Sequence, residues 1–228
     1  MPRERTIERI DYQRQTALFD PRQYGDKDVV IVGLGNIGSN TAITLARLGM
    51  RRIKLYDFDT VEVHNLTSQA YTVNDIGQPK AIALASYLST LNPEGIFQPI
   101  CRKFGEETED FEGLGDSIMV IAIDTMQGRK EIYTMLSSRK ISPQLIIDGR
   151  IGGEQLELYM INSLAGWSTT FSDNPAADPC GGRFICYVSV MMGGLIASQV
   201  KKYLKGERID KSIMINVDSL QIIKNFSW

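Results

Sequence analysis

The chain has 228 residues, 43% apolar and 23% charged, with 25 lysines and arginines against 27 aspartates and glutamates for a formal net charge of -2. That length suits one sizeable α/β domain, and the near balance of charge excludes a protein held to nucleic acid by bulk electrostatics. No apolar run approaches the roughly 20 residues needed to span a bilayer, the start MPRERTIERIDYQRQ lacks the apolar core of a signal peptide, and three cysteines (Cys101, Cys180, Cys186) fit a reducing compartment, so a cytoplasmic protein without a membrane is the expectation.

Residues 1–26 are expected to form an N-terminal helical arm. Residues 28–33 (DVVIVG) are short, apolar and β-branched, a buried strand that turns at Gly33. Residues 36–49 are dense enough in apolar positions for a buried helix, and residues 52–57 (RIKLYD) form the next strand. This βαβ unit should cross over in the right-handed sense. Pro79 marks a first helical turn, with a helix over 80–91, strands over 95–100 and 117–123, a helix over 126–138 and a strand over 144–148. Such alternation predicts an α/β fold of the Rossmann type, a mostly parallel sheet with helices on both faces. After Gly149 the texture changes: a half-buried strand over 154–161, a long loop over about 163–183, a helix over 185–204 carrying Gly193 and Gly194, and two closing strands over 212–217 and 220–226. The loop length points to function, and the late strands form a mixed C-terminal extension of the sheet.

Gly33-Leu34-Gly35-Asn36-Ile37-Gly38 matches GxGxxG in the setting the motif needs, after a strand and opening a helix. The first glycine permits the turn, the second admits phosphate to the backbone, and the third lets helix and strand pack closely. Free N–H groups and the partial positive charge at the helix start suit a phosphate. Asp57, nineteen residues after Gly38, stands where a carboxylate can accept from ribose hydroxyls. By themselves these features fit an NAD-dependent oxidoreductase equally well.

The stretch DFDTVEVHNLTSQAYTVNDIGQPKA from residue 57 carries Asp57, Asp59, Asn65, Gln69 and Lys80. A hydride-transfer enzyme has no need of so many polar groups straight after the ribose carboxylate, whereas an enzyme handling a triphosphate must hold phosphates and a metal. The chain here resembles the ThiF/MoeB/HesA adenylyltransferases, relatives of the ubiquitin-activating enzymes. Their pattern runs close to GxGGxGS, DxDxVxxxNLxRQ and GxxKA, then an aspartate at a strand end with an arginine five residues on. The matching positions are Gly33 to Ser39, Asp57 to Val61 with Asn65, Leu66 and Gln69, Gly77 to Ala81, and Asp124 with Arg129, while Tyr12-Gln13-Arg14-Gln15 looks like the family's RYxRQ element. The resemblance spans roughly residues 9–205.

The resemblance implies one adenylation domain over 1–228 that uses ATP and Mg²⁺. It implies Asp57 on the ribose, Lys80 on the phosphates, Asn65 and Gln69 supporting the phosphate end, and Asp124 holding the Mg²⁺. Arg14 would reach a partner subunit's site, which implies a dimer, a homodimer in the first instance. The implied reaction is attack by a carboxylate on the α-phosphate, and the implied partner is a ubiquitin-like or sulfur-carrier protein ending in glycine. In relatives a cysteine near Cys180 takes the activated partner as a thioester or persulfide, and Arg183 with the following helix start could lower its pKa. Cys186 reads as core. Arg150 and the strand 154–161 would line the path of the partner's tail.

Two positions depart from the pattern. The phosphate-contacting arginine of NLxRQ is Ser68, leaving His64 and Arg129 as basic candidates to compensate, and the third glycine of GxGGxG is Asn36. The CxxC pairs that hold zinc in many relatives are missing, and Cys180 and Cys186 stand six apart with one histidine in the chain, so no zinc is expected. Three further readings stay open: a small peptide or tRNA-borne carboxylate as acceptor, a non-catalytic half of a heterodimeric activating enzyme, and NAD binding.

Overall fold

The computed structural model describes residues 10–172 and 184–225. Eight strands form one sheet in the order β3-β2-β1-β4-β5-β6-β7-β8. The strands are β1 (Asp28–Val32), β2 (Arg52–Tyr56), β3 (Ile96–Ile100), β4 (Ile118–Ile121), β5 (Leu145–Gly152), β6 (Gln155–Ile161), β7 (Ser212–Asn216) and β8 (Gln221–Asn225). The first five pair in parallel, and β5 to β8 pair antiparallel. The expected architecture is therefore present, with the mixed extension at its C-terminal side.

Strand alternation decides which helix covers which face. Val29, Ile31, Ile118, Val120, Leu145 and Ile147 point into one apolar cluster. On that side pack α2 (Asn36–Leu48), α3 (Lys80–Leu91) and α6 (Cys186–Leu204), through residues such as Leu45, Leu84, Met192 and Ile196. Val30, Val32, Met119, Ile121 and Ile146 point the other way. They meet α4 (Met126–Arg139) through Ile132 and Leu136, and α5 (Leu164–Ser168) through Trp167. Buried on both faces, the central parallel strands β1 and β4 need continuous apolar runs, which is how they read. Gly193 lets α6 lie on α2, because a Cβ there would sit 2.8 Å from the Asn40 carbonyl oxygen.

Three local expectations need correction. The strand expected to stop at 148 runs on to Gly152, because β6 pairs back along it from Ile161 to Gln155. The stretch taken as loop from 163 opens with α5, whose first turn is capped by Ser163 accepting from the Gly166 N–H. Cys186 is exposed at the first position of α6 rather than part of the core; burial on that helix begins at Val188 and Ser189. In the N-terminal arm only a short helix α1 (Pro21–Tyr24) and the turn at 13–18 are formed among the described residues. Gln15 Nε2 donates to the Leu48 carbonyl at 2.7 Å and pins this arm to the end of α2. Among the described residues no helix is long and apolar enough to cross a membrane.

Candidate nucleotide site

Strand β1 lies between β2 and β4, so the connections leave the sheet in opposite directions beyond its C-terminal end. A crevice forms at such a switch point. A cleft of about 850 Å³ opens there, lined by the glycine-rich turn, the residues after β2, the ends of β3 and β4 and the start of α4.

The turn has the three-glycine geometry. Gly33 has φ 88°, and a Cβ on it would lie 2.7 Å from the Ala122 carbonyl oxygen. A Cβ on Gly38 would run into the carbonyl oxygen of Gly33 itself. Gly38→Ala should therefore force the turn open, lowering stability by about 1–3 kcal/mol and removing nucleotide binding. Denaturant titration and nucleotide titration of the variant test this. Gly35 precedes α2 with no side-chain cap, so the first N–H groups of that helix face the cleft free of protein side chains.

The Leu34 peptide is held from both sides. Its N–H donates to Asp57 Oδ2 at 2.6 Å, and its carbonyl accepts from the Tyr71 hydroxyl at 2.8 Å. Asp57 Oδ1 accepts from the Asp59 N–H at 2.8 Å. Burial raises the Asp57 carboxyl above the ordinary range, and the two N–H bonds and Lys80 partly offset that. Burial pushes the Tyr71 hydroxyl up as well, so it stays a donor at any ordinary pH.

Lys80 returns to this point by backbone pairing. Thr60 bridges Pro79, Val61 N–H donates to the Gln78 carbonyl, and Lys80 N–H donates to the Asp59 carbonyl at 2.9 Å. The lysine is only 6% exposed, and its Nζ lies 2.9 Å from Asp59 Oδ2. A surface lysine would not be buried so. Two short 3-10 turns, Val63–Thr67 and Val73–Asp75, occupy the intervening chain. In the first, buried Asn65 accepts from the Glu62 N–H at 2.8 Å, which closes a capping box and aims the residue at the cleft. Gln69 also lines the cleft, and its buried Oε1 has no hydrogen-bond partner.

Asp124 follows β4 and stands exposed at the opposite lip of the cleft. Gly33, Gly35, Asn36, Asp57, Asp59, Asn65, Gln69, Lys80 and Asp124 thus share one cleft, while Gly38 packs beneath it. Arg14 does not join them: it lies exposed in the turn at 13–18, away from the cleft of its own chain. Cys180 and Arg183 lie outside the described residues.

Two basic candidates are placed elsewhere. Arg129 is fully buried, with Nε 2.9 Å from Asp148 Oδ1, Nη1 on the Thr125 carbonyl and Nη2 on the Gly149 carbonyl, so it cannot stand in for the arginine missing at Ser68. Arg150, expected along a partner's path, is 3% exposed, with Nη2 2.7 Å from Asp148 Oδ2 and Nη1 on the Thr170 carbonyl. His64 does line the cleft, exposed and 3.4 Å from Glu62. Two cations unnoticed in the sequence line it too. Arg102 contacts Asp110 at 2.7 Å, and Lys103 lies 5.2 Å over the ring of the exposed Phe58. Their only signal was position, just past the C-terminal end of a parallel strand. Phe104, Ile123, Ile132 and Met135 give this side of the cleft an apolar wall that a nucleobase could cover.

A nucleoside triphosphate fits this cleft by volume, by the glycine turn with free helix N–H groups, and by the carboxylate at the ribose position. Mg²⁺ fits Asp124 only in company, since among the described residues no group of three or more His, Cys, Asp or Glu side chains could hold a metal by itself. A magnesium ion that keeps several waters and takes phosphate oxygens needs only one or two protein carboxylates.

Ubiquitin-like modifier-activating enzyme 5 of Drosophila simulans is 39% identical over 82 residues, 36% of this chain and 20% of that protein. Molybdopterin-synthase adenylyltransferase of Salmonella typhimurium is 29% identical over 133 residues, 58% of this chain and 51% of that protein. The matched stretches thus span between a fifth and a half of those relatives' length. The crystal structure of E. coli MccB with ATP superposes with a TM-score of 0.71 at 21% identity, covering 90% of this chain and 66% of the other, a likeness of fold. The ThiF family model matches residues 12–226, past the end of the stretch recognised in the motifs and through β8. With nearly its whole length accounted for, the chain belongs to the ThiF family.

Proposed function

We propose that the cleft binds ATP and that the protein adenylates the C-terminal carboxylate of a ubiquitin-like or sulfur-carrier protein. The observation that carries this reading is the burial of Lys80 at the floor of the cleft, charge-paired with Asp59 beside the glycine-rich turn. A buried ammonium lining the same cleft as the free N–H groups at the start of α2 is the equipment for a polyphosphate rather than for a nicotinamide. The relatives named as an activating enzyme and as an adenylyltransferase support the same reaction.

In the reaction a carboxylate oxygen attacks the α-phosphorus. The new bond is the acyl–O–P bond of an acyl-adenylate, the α–β bridging P–O bond breaks, and pyrophosphate leaves with the electron pair. No proton has to move. The chain's residues act by placement and charge. Asp57 accepts from the ribose, the turn and the start of α2 donate to phosphate, and Lys80 opposes the charge gathering on the leaving pyrophosphate. Mg²⁺ held at Asp124 would neutralise phosphate charge. Arg14, exposed and outside the lining of its own cleft, would act in the cleft of a second subunit of a dimer. After adenylation the Cys180 thiolate would attack the acyl carbon, forming a thioester as the acyl C–O bond breaks and AMP leaves with the electron pair.

The test is exchange of labelled pyrophosphate into ATP in the presence of candidate proteins ending in glycine. Exchange above background with one of them is expected. Stimulation by a short peptide or by tRNA alone would move the acceptor to that class. The uncharged Ser68 favours one competing reading, a non-catalytic half that lends Arg14 to an active partner. Tight Mg²⁺–ATP binding by this chain alone argues against that reading.

A further inference from the structure

The two departures from the family pattern touch each other. Ser68 Oγ–H donates to Asn36 Oδ1 at 2.6 Å, across 32 residues of sequence. Both side chains line the cleft, and Asn36 is the first residue of α2, at the free N–H groups. The Ser68 backbone is fixed as well. Asn40 Nδ2 donates to the Ser68 carbonyl at 3.1 Å and to the Asn36 carbonyl at 2.8 Å, and Ala70 N–H donates to Ser39 Oγ at 3.1 Å. With its oxygen taken by Ser68, the Asn36 carboxamide has one direction, and its Nδ2 has no protein acceptor among the described residues. An amide nitrogen carries two N–H donors and no lone pair to offer a cation.

We infer that Asn36 and Ser68 form one unit, in which Ser68 orients the Asn36 carboxamide so that its Nδ2 donates to a phosphate oxygen in place of the missing arginine. The inference rests on the reading of the cleft as an ATP site. Without it, two losses coincide: a cation removed at 68 and bulk added at 36. With it, the bulk at 36 is the replacement donor and the short residue at 68 is its support. An arginine at 68 would lose the hydrogen bond that orients Asn36, and a glycine at 36 would leave Ser68 Oγ without its acceptor, so either family residue restored singly breaks the pair.

The experiment measures binding of ATP, with Mg²⁺, and of adenosine by calorimetry to the full chain. Asn36→Asp keeps an acceptor for Ser68 but turns an oxygen anion toward phosphate. It should weaken ATP about tenfold or more while leaving adenosine unchanged. Ser68→Ala should weaken ATP several-fold, and adding Ser68→Ala to Asn36→Ala should cost nothing further. The double variant Asn36→Gly with Ser68→Arg should bind ATP at least as well as wild type, although Ser68→Arg alone does not. Thermal melts of each variant separate misfolding from loss of the donor. Wild type that binds ATP, with Asn36→Asp unchanged or with effects at 36 and 68 that simply add, overturns the inference and leaves the ATP reading standing. Wild type that binds no ATP overturns both.

Discussion

Replacing Lys80 with methionine is expected to lower ATP–pyrophosphate exchange by about a hundredfold or more, the usual loss when a group that opposes developing charge is removed. Methionine keeps the apolar stem where the lysine is buried and removes only the ammonium. Asp59 is left without its partner, but its side chain is 49% exposed and water can solvate it. The pair therefore contributes no more than about 1 kcal/mol to folding, and the melting temperature should move by only a few degrees. An exchange rate within threefold of wild type would remove Lys80 from the reaction.

The largest expected effect on stability comes from Asp148→Ala. Asp148 is fully buried between two guanidinium groups, Arg129 at 2.9 Å and Arg150 at 2.7 Å, and it also accepts from Trp167 Nε1 at 3.0 Å. Burial alone would raise its carboxyl, but the two arginines hold it below the ordinary range. Removing it strands two buried cations, which costs about 3–5 kcal/mol, a fall in Tm on the order of 10 °C for a chain of this size. Because the folded pKa is depressed, the carboxylate's contribution is complete above the unfolded value of about 4 and is lost as pH falls through the lower folded value. The gap between wild type and variant should therefore be full at neutral pH and close only in strong acid. Urea titrations at neutral and acid pH measure it. The same network ties α5 and Thr170 to β5, so the variant should also release the segment that leads into residues 173–183.

Much of this architecture could be read from apolar periodicity, because a sheet covered on both faces imposes unbroken apolar runs such as the VVIV of β1 and the IMVI of β4. What escaped has specific causes. Gly149 looks like a turn residue, yet it sits inside β5. A Cβ on Gly149 would lie 3.3 Å from Ile37 and 3.4 Å from Ile196, so the glycine marks a close helix approach within a strand. In α5 one large residue, Trp167, supplies the burial, and no apolar period announces a five-residue helix. The residues in and beneath the cleft that follow a motif were legible because backbone geometry demands them, as with Gly33, Gly38 and Asp57. Lys103 and the Asn36–Ser68 contact were not, because each depends on segments brought together by the fold. Arg129 shows the reverse: its spacing from Asp124 was visible, but its partner Asp148 lies nineteen residues further on and only the folded sheet brings them together.

Direct calorimetric titration of the full chain with Mg²⁺–ATP and with NADH decides whether this cleft is an ATP site. Saturable 1:1 binding of ATP is expected, weakened about tenfold or more when Asp57 becomes alanine, with NADH bound far more weakly. No heat with ATP, or NADH bound in preference to it, would show that the cleft is not an ATP site.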